Sequence, residues 1–177
     1  MDTIETRKQN EQALKFELVY SYYFEKFMNK FYSRLDKLIL FILMGLAIIT
    51  ITGTSNVVII GSISAILIFV LIVSQAGARA QATKTIYQEY LKLYQNFDNV
   101  DIDTIKRRFR AIQEKDNEEI NCLAYPAYAA TVEHLGMTTD YGYKELPRGL
   151  STLEKLYVLF IDETIEYGFK KESNPAA

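Results

Sequence analysis

The sequence predicts an all-α membrane protein, with a two-helix transmembrane hairpin, a long helical stalk and a small cytoplasmic helical domain. Three observations predict it. Residues 38–78 form a run of 41 residues without Asp, Glu, Lys, Arg or His, bounded by Lys37 and Arg79. One crossing needs about 20 apolar residues, so the run holds two short crossings or one very long one. Its centre, Thr52-Gly-Thr-Ser-Asn56, is a turn-forming cluster that punctuates helices. On both sides apolar residues recur at helical spacing, and no stretch alternates apolar and polar long enough to make a strand.

Residues 1–37 read as one amphipathic cytoplasmic helix that runs into the membrane. Phe16, Val19, Tyr20, Tyr23, Phe24, Phe27, Phe31, Leu35 and Leu38 hold i, i+3, i+4 spacing, and no Pro or Gly interrupts residues 1–44. Phe16 to Phe27 read as a packing stripe against the helix that leaves the second crossing. Tyr32 is placed for an aromatic belt among the headgroups. Residues 38–51 form the first crossing, which is short and borrows 32–37 at its start through snorkelling basic side chains. Residues 52–56 turn and 57–78 cross back. The first 37 residues are too polar for the apolar core of a cleavable signal, so the first crossing is expected to stay as an anchor.

The second crossing is expected to continue as cytoplasmic helix over 79–97. Ile86, Tyr87, Tyr90, Leu91, Tyr94 and Phe97 keep helical spacing to Gln95, and Asn96-Phe-Asp-Asn stops it. Its stripe and that of the N-terminal helix then face each other as an antiparallel stalk. Residues 98–170 read as a cytoplasmic helical region. Asp101 or Asp103 caps a helix with Ile105, Phe109 and Ile112 inward. Asp116-x-x-Glu119 resembles a capping box for a helix that contains Pro126 and stops at Gly136. Residues 137–150 read as a loop, and Ser151-x-x-Glu154 opens a last helix that buries Leu153, Leu156, Tyr157, Phe160 and Ile161. Residues 171–177 read as a disordered tail.

Charge sets the orientation. All 20 Lys and Arg lie outside the hairpin, seven before residue 38 and thirteen after residue 78, and none lies in the turn. Basic residues stay cytoplasmic, so both termini are expected in the cytoplasm of a cell whose inner membrane the hairpin crosses twice.

The chemistry-bearing residues are few. One Cys (Cys122) and one His (His134) allow no intrachain disulfide and supply too few ligands for a Cys/His zinc site. Twelve residues apart in one helical stretch, they read as structural. No phosphate-cradling glycine loop, metalloprotease motif or nucleophile elbow is present, so no enzyme, cofactor or metal is expected. Asp98, Asp101 and Asp103 read as helix caps.

Two groups remain. Lys106, Arg107, Arg108 and Arg110 are candidates for phosphate, nucleotide or headgroup contact, or form a solvated helix face. Gly61, Ser64, Ile68 and Gln75 fall near one face of the second crossing, and Gly61-x-x-x-Ala65 and Ala76-x-x-x-Ala80 are spacings that let helices approach closely in lipid. These residues line a pore or pack the hairpin and its protomers. Two crossings cannot enclose a pore alone, so a channel requires a homo-oligomer.

The layout resembles the SLATT group, two-transmembrane effectors associated with nucleotidyltransferase (SMODS) and nucleotide-sensor (SLOG) proteins. The likeness covers about residues 10–170. It rests on the long N-terminal helix, the minimal turn between crossings and the extended second helix. It also rests on R-x-x-x-I-x-x-x-D from Arg108 to Asp116 and A-T-V-E-H-L-G at 130–136. The resemblance implies a membrane effector of bacterial anti-phage defence, acting by abortive infection. A separately encoded partner (nucleotidyltransferase-like, nucleotide-sensor or reverse-transcriptase-like) senses infection, and the membrane protein then oligomerises into a pore or disrupts the membrane. The alternatives are a non-conducting membrane adaptor that recruits a cytoplasmic partner, and a holin-like lysis protein.

Overall fold

The computed structural model describes residues 2–51, 56–115, 120–136 and 151–161, with side chains from residue 6 onward. The described residues are helical, with no strand among them. Six α-helices follow in order: α1 (Asp2–Ile51), α2 (Val57–Ser74), α3 (Ala76–Gln95), α4 (Ile102–Gln113), α5 (Asn121–His134) and α6 (Thr152–Ile161). Residues 52–55 of the turn expected at 52–56, the capping box at 116–119, the loop at 137–150, the end of the helical region at 162–170 and the tail at 171–177 lie outside the described residues.

The 50-residue α1 is the axis of the molecule, about 75 Å long at 1.5 Å per residue. Nothing in it breaks a helix before Gly45, and each part of its apolar stripe has a partner. α3 runs antiparallel to it. Lys15 Nζ stands 3.7 Å from the Asp98 carboxylate, the Tyr22 and Tyr87 rings meet edge-on at 6.2 Å, and Asn29 Nδ2 donates to the Ala80 carbonyl. Asp36 lies against Gly77. As numbers rise along α1 they fall along α3, as the predicted stalk requires.

Two apolar clusters fill the stalk. At the end away from the hairpin, Leu14 and Leu18 of α1 pack with Ile86, Tyr90 and Leu93 of α3 and with Ile105, Phe109 and Ile112 of α4. The inward face predicted for α4 is therefore the buried one. Nearer the hairpin, Phe24, Phe27, Met28 and Tyr32 of α1 pack with Ala76, Ala80, Leu123, Ala127, Ala130 and Ile161. This second cluster gathers α1, α3, α5 and α6 at one level.

The helix ends are specified locally. Asp101, rather than Asp103, caps α4, its Oδ2 accepting from the Asp103 amide at 3.2 Å. Gly136 takes a φ of 59° just past α5, the left-handed stop that glycine makes without steric cost. Ser151 and Glu154 form a reciprocal capping box: the Ser151 amide donates to Glu154 Oε2 at 2.7 Å, and the Glu154 amide donates to Ser151 Oγ at 3.2 Å. The face predicted for α6 holds in part: Ile161 is buried and Tyr157 and Phe160 are half-buried. Leu153 and Leu156 need correction, since they face solvent while Glu154 is buried.

The second correction is at Gln75. The helix expected to run unbroken from 57 to 95 holds one left-handed residue, Gln75, with φ 45° and ψ 36°. The cause is a change of phase in the stripe that faces α1. In α2 the buried or half-buried residues are Ile60, Ser64, Leu67, Leu71 and Ser74, alternating four and three residues apart as in a paired coil. Carried on unbroken, that stripe would reach Ala78, Gln81 and Thr85, all of which are exposed. The buried residues of α3 are instead Ala76, Ala80, Thr83, Ile86 and Tyr90. A two-residue offset is about 200° around a helix. The left-handed residue re-aims the chain so that both stripes stay against α1.

Candidate functional site

The hairpin end is built from the last turns of α1 and all of α2, which pack on each other. Ile39, Leu43 and Leu46 are the less exposed residues of α1 there. The outer surfaces carry Leu40, Phe41, Met44, Ile48, Ile59, Ile63, Ile66, Phe69 and Val73, all well exposed. Monomeric soluble proteins rarely present an apolar surface of this extent. Val57–Gln95 is long and apolar enough to cross a membrane, with 6% of its most apolar stretch buried. The uncharged end of α1, Leu38–Ile51, is shorter, about 21 Å at 1.5 Å per residue.

Three hydroxyls at this end bond within their own helices. Thr50 Oγ1 donates to the Leu46 carbonyl at 2.9 Å, Ser62 Oγ to the Val58 carbonyl at 2.9 Å and Ser74 Oγ to the Leu71 carbonyl at 3.3 Å. Asn56 Oδ1 caps α2, accepting from the Val58 amide at 3.0 Å.

The five hairpin candidates divide. Ser64 is half-buried in the seam with α1, whereas Gly61, Ala65 and Ile68 lie on the exposed flank beside it and Gln75 sits exposed at the break. A side chain on Gly61 would meet nothing within 4 Å. The Gly61-x-x-x-Ala65 groove is therefore open, while Ala76-x-x-x-Ala80 is closed against α1, with both alanines buried.

Lys106, Arg107, Arg108 and Arg110 project from α4, with Lys106 half-buried and the three arginines exposed. α4 lies beside the first turns of α1, where Lys106 and Arg110 share a groove with Asn10 and Glu17. From Glu17 to Lys37 is about 30 Å along the axis, so this cluster sits at the end of the stalk far from the hairpin. An adjoining open groove of about 690 Å³ is lined by Arg7 and Lys106 together with Glu11, Asp101 and Asp103. Its charge is mixed rather than uniformly positive.

One sequence reading changes. Tyr32 is buried inside the second cluster and accepts a hydrogen bond from Arg79 Nη1 at 3.2 Å, so it is a packing residue rather than part of an exposed belt. His134 stands between two phenols, with Nδ1 3.1 Å from Tyr23 Oη and Nε2 3.2 Å from Tyr94 Oη. Both ring nitrogens are engaged in joining α5 to α1 and α3. Among the described residues no three His, Cys, Asp or Glu side chains gather as a metal site would require. Sequence reasoning missed the outward leucines of α6 and the Arg79–Tyr32 junction. Helical spacing alone does not say which side of α6 meets α1, and the junction joins residues 47 positions apart.

Compared with known proteins, the chain matches no family model, no curated protein and no solved structure.

Proposed function

We propose that this protein is a two-crossing membrane effector: the end of α1 and all of α2 span a bilayer, and copies of the chain assemble in it to permeabilise the membrane on a signal. The observation that carries the reading is the exposed apolar jacket around both helices of the hairpin end. The first crossing reaches full depth when counted from Tyr32, whose level is already sealed by protein. The open groove at Gly61 and Ala65 supports assembly, because small residues let a neighbouring helix approach closely in lipid. The SLATT-like layout supplies the setting, which is bacterial anti-phage defence with a separately encoded sensor. A toxic open assembly has to be rare without that signal, so the trigger must bind the open state better than the closed one.

Membrane potential tests the reading. Bacteria expressing the chain from an inducible promoter, followed with a voltage-sensitive dye, should depolarise and stop growing when the trigger is present. Gly61→Leu should fill the groove and remove depolarisation while the protein stays in the membrane fraction. Stable potential under every condition, with the protein in the membrane, would favour the adaptor, which makes the same crossings without conducting.

A further inference from the structure

α6 is held firmly on one side and apolar on the other. On the held side, Arg34 Nη1 donates to the Phe160 carbonyl at 2.7 Å. The Phe31 ring meets Tyr157 at 5.3 Å and Phe160 at 5.6 Å. The opposite side presents Leu153, Leu156 and Leu159, which are 63%, 62% and 78% exposed. Burying a leucine side chain is worth about 1.5–3 kcal/mol, so three of them left in water on a ten-residue helix are conspicuous.

The level of α6 identifies what covers them. A crossing takes about 20 residues. Counted back from Ile51, that length ends at Tyr32, and counted forward from Val57 it ends at Ala76. The fold places Tyr32 and Ala76 in one packed cluster, so two separate counts end in the same cluster. Phe31 and Arg34, which hold α6, flank Tyr32. Leu38, Leu40 and Phe41 lie about 9–14 Å beyond Tyr32 along α1 and are exposed. Among the described residues, strongly exposed large apolar side chains occur in two places, residues 38–73 and α6. The stalk between Leu14 and Asp36 has none. Strongly exposed large apolar side chains are thus confined, among the described residues, to the hairpin end and to α6, which is held on α1 within a turn of Leu38. Exposed Lys37 and Lys155 lie near it, suited to anionic headgroups.

We propose that α6 is an interfacial helix whose Leu153, Leu156 and Leu159 insert among lipid headgroups and hold the cytoplasmic bundle against the bilayer. The proposal rests on the membrane reading above. Apolar helix faces of this kind sink about 5–10 Å into the headgroup and acyl boundary.

The test uses the full chain in vesicles of phosphatidylcholine and phosphatidylglycerol, some carrying a nitroxide high on the acyl chain. In a Cys122→Ser background, single cysteines at Leu156→Cys, Ile59→Cys and Ala111→Cys carry an environment-sensitive fluorophore. Nitroxide lipid should quench positions 59 and 156 at least about twofold more than position 111, which lies on the outer face of α4, far below the boundary. Quenching at 59 without quenching at 156 overturns the role of α6 and leaves the crossing intact. A blue-shifted position 156 that neither lipid nitroxide nor iodide quenches overturns it in favour of a protein contact. Absence of quenching at 59 overturns the crossing and this inference with it. A second variant, Leu153→Glu with Leu156→Glu and Leu159→Glu and a reporter at Lys155→Cys, should lose lipid quenching at 155, and a reporter at 59 in the same triple variant should remain quenched. Unchanged quenching at 155 would also refute the insertion.

Discussion

Arg79 and Tyr32 meet where the two long helices converge below the hairpin. Arg79 Nη1 donates to the phenol oxygen at 3.2 Å, and the guanidinium stands 5.7 Å from the ring centroid. One aromatic side chain thereby meets the cation that bounds the uncharged run on α3. Tyr32→Phe keeps the ring and removes the acceptor, with an expected cost of about 1 kcal/mol because Arg79 stays half-solvated. Tyr32→Ala also opens a cavity and should cost about 3–5 kcal/mol. Denaturant titration of the purified protein in detergent, followed by circular dichroism, measures both, and equal losses would show that the hydrogen bond rather than the ring carries the junction.

Ala80 is small by necessity. It is buried in the cluster that joins α1, α3, α5 and α6, and its carbonyl accepts from Asn29 Nδ2. Ala80→Leu adds three carbons to a closed contact and should destabilise by about 1–3 kcal/mol. Gly61→Leu, on the open flank, should leave stability in detergent within about 0.5 kcal/mol of the wild type. The same titration compares the two substitutions, and the ranking should not reverse.

Gln75 pays for its left-handed backbone, because a side chain there crowds the following carbonyl. Gln75→Gly removes that clash, so it should be neutral or stabilising by up to about 1 kcal/mol, although glycine inside a regular helix costs about that much. Gln75→Val should destabilise by about 1–2 kcal/mol, since β-branched residues tolerate this conformation least. A Gly variant less stable than the Val variant would contradict the break.

His134 bonds to phenols on two other helices. Its contacts are exposed, so each is worth about 0.5–1.5 kcal/mol at most. His134→Ala should loosen α5 locally and speed amide exchange over Asn121–His134 without changing exchange in α3. Uniform acceleration throughout the stalk would show instead that His134 supports the whole bundle.

Ser151→Ala removes one half of the capping box at α6 and should cost about 0.5–2 kcal/mol of local helix stability. Amide exchange at residues 152–155 reads it directly.

The sequence by itself determined most of the helices and most of their faces. Helical spacing, the 41-residue uncharged run and the caps at Asp101, Gly136 and Ser151 are local signals, and local physics suffices to read them. So do the inward faces of α4 and the antiparallel stalk, because each apolar stripe needs a partner and the two longest stripes are joined by a short turn. The tertiary structure alone decided which small residues are filled and which stay open. Ala76 and Ala80 close on α1, whereas Gly61 and Ala65 do not, although both pairs have the same spacing. It decided that Tyr32 is buried rather than exposed, and that α6 turns Glu154 inward and its leucines outward. It also decided the break at Gln75. Two stripes offset by two residues are each sound helix, and only their need to meet the same neighbour forces one residue between them into the left-handed conformation.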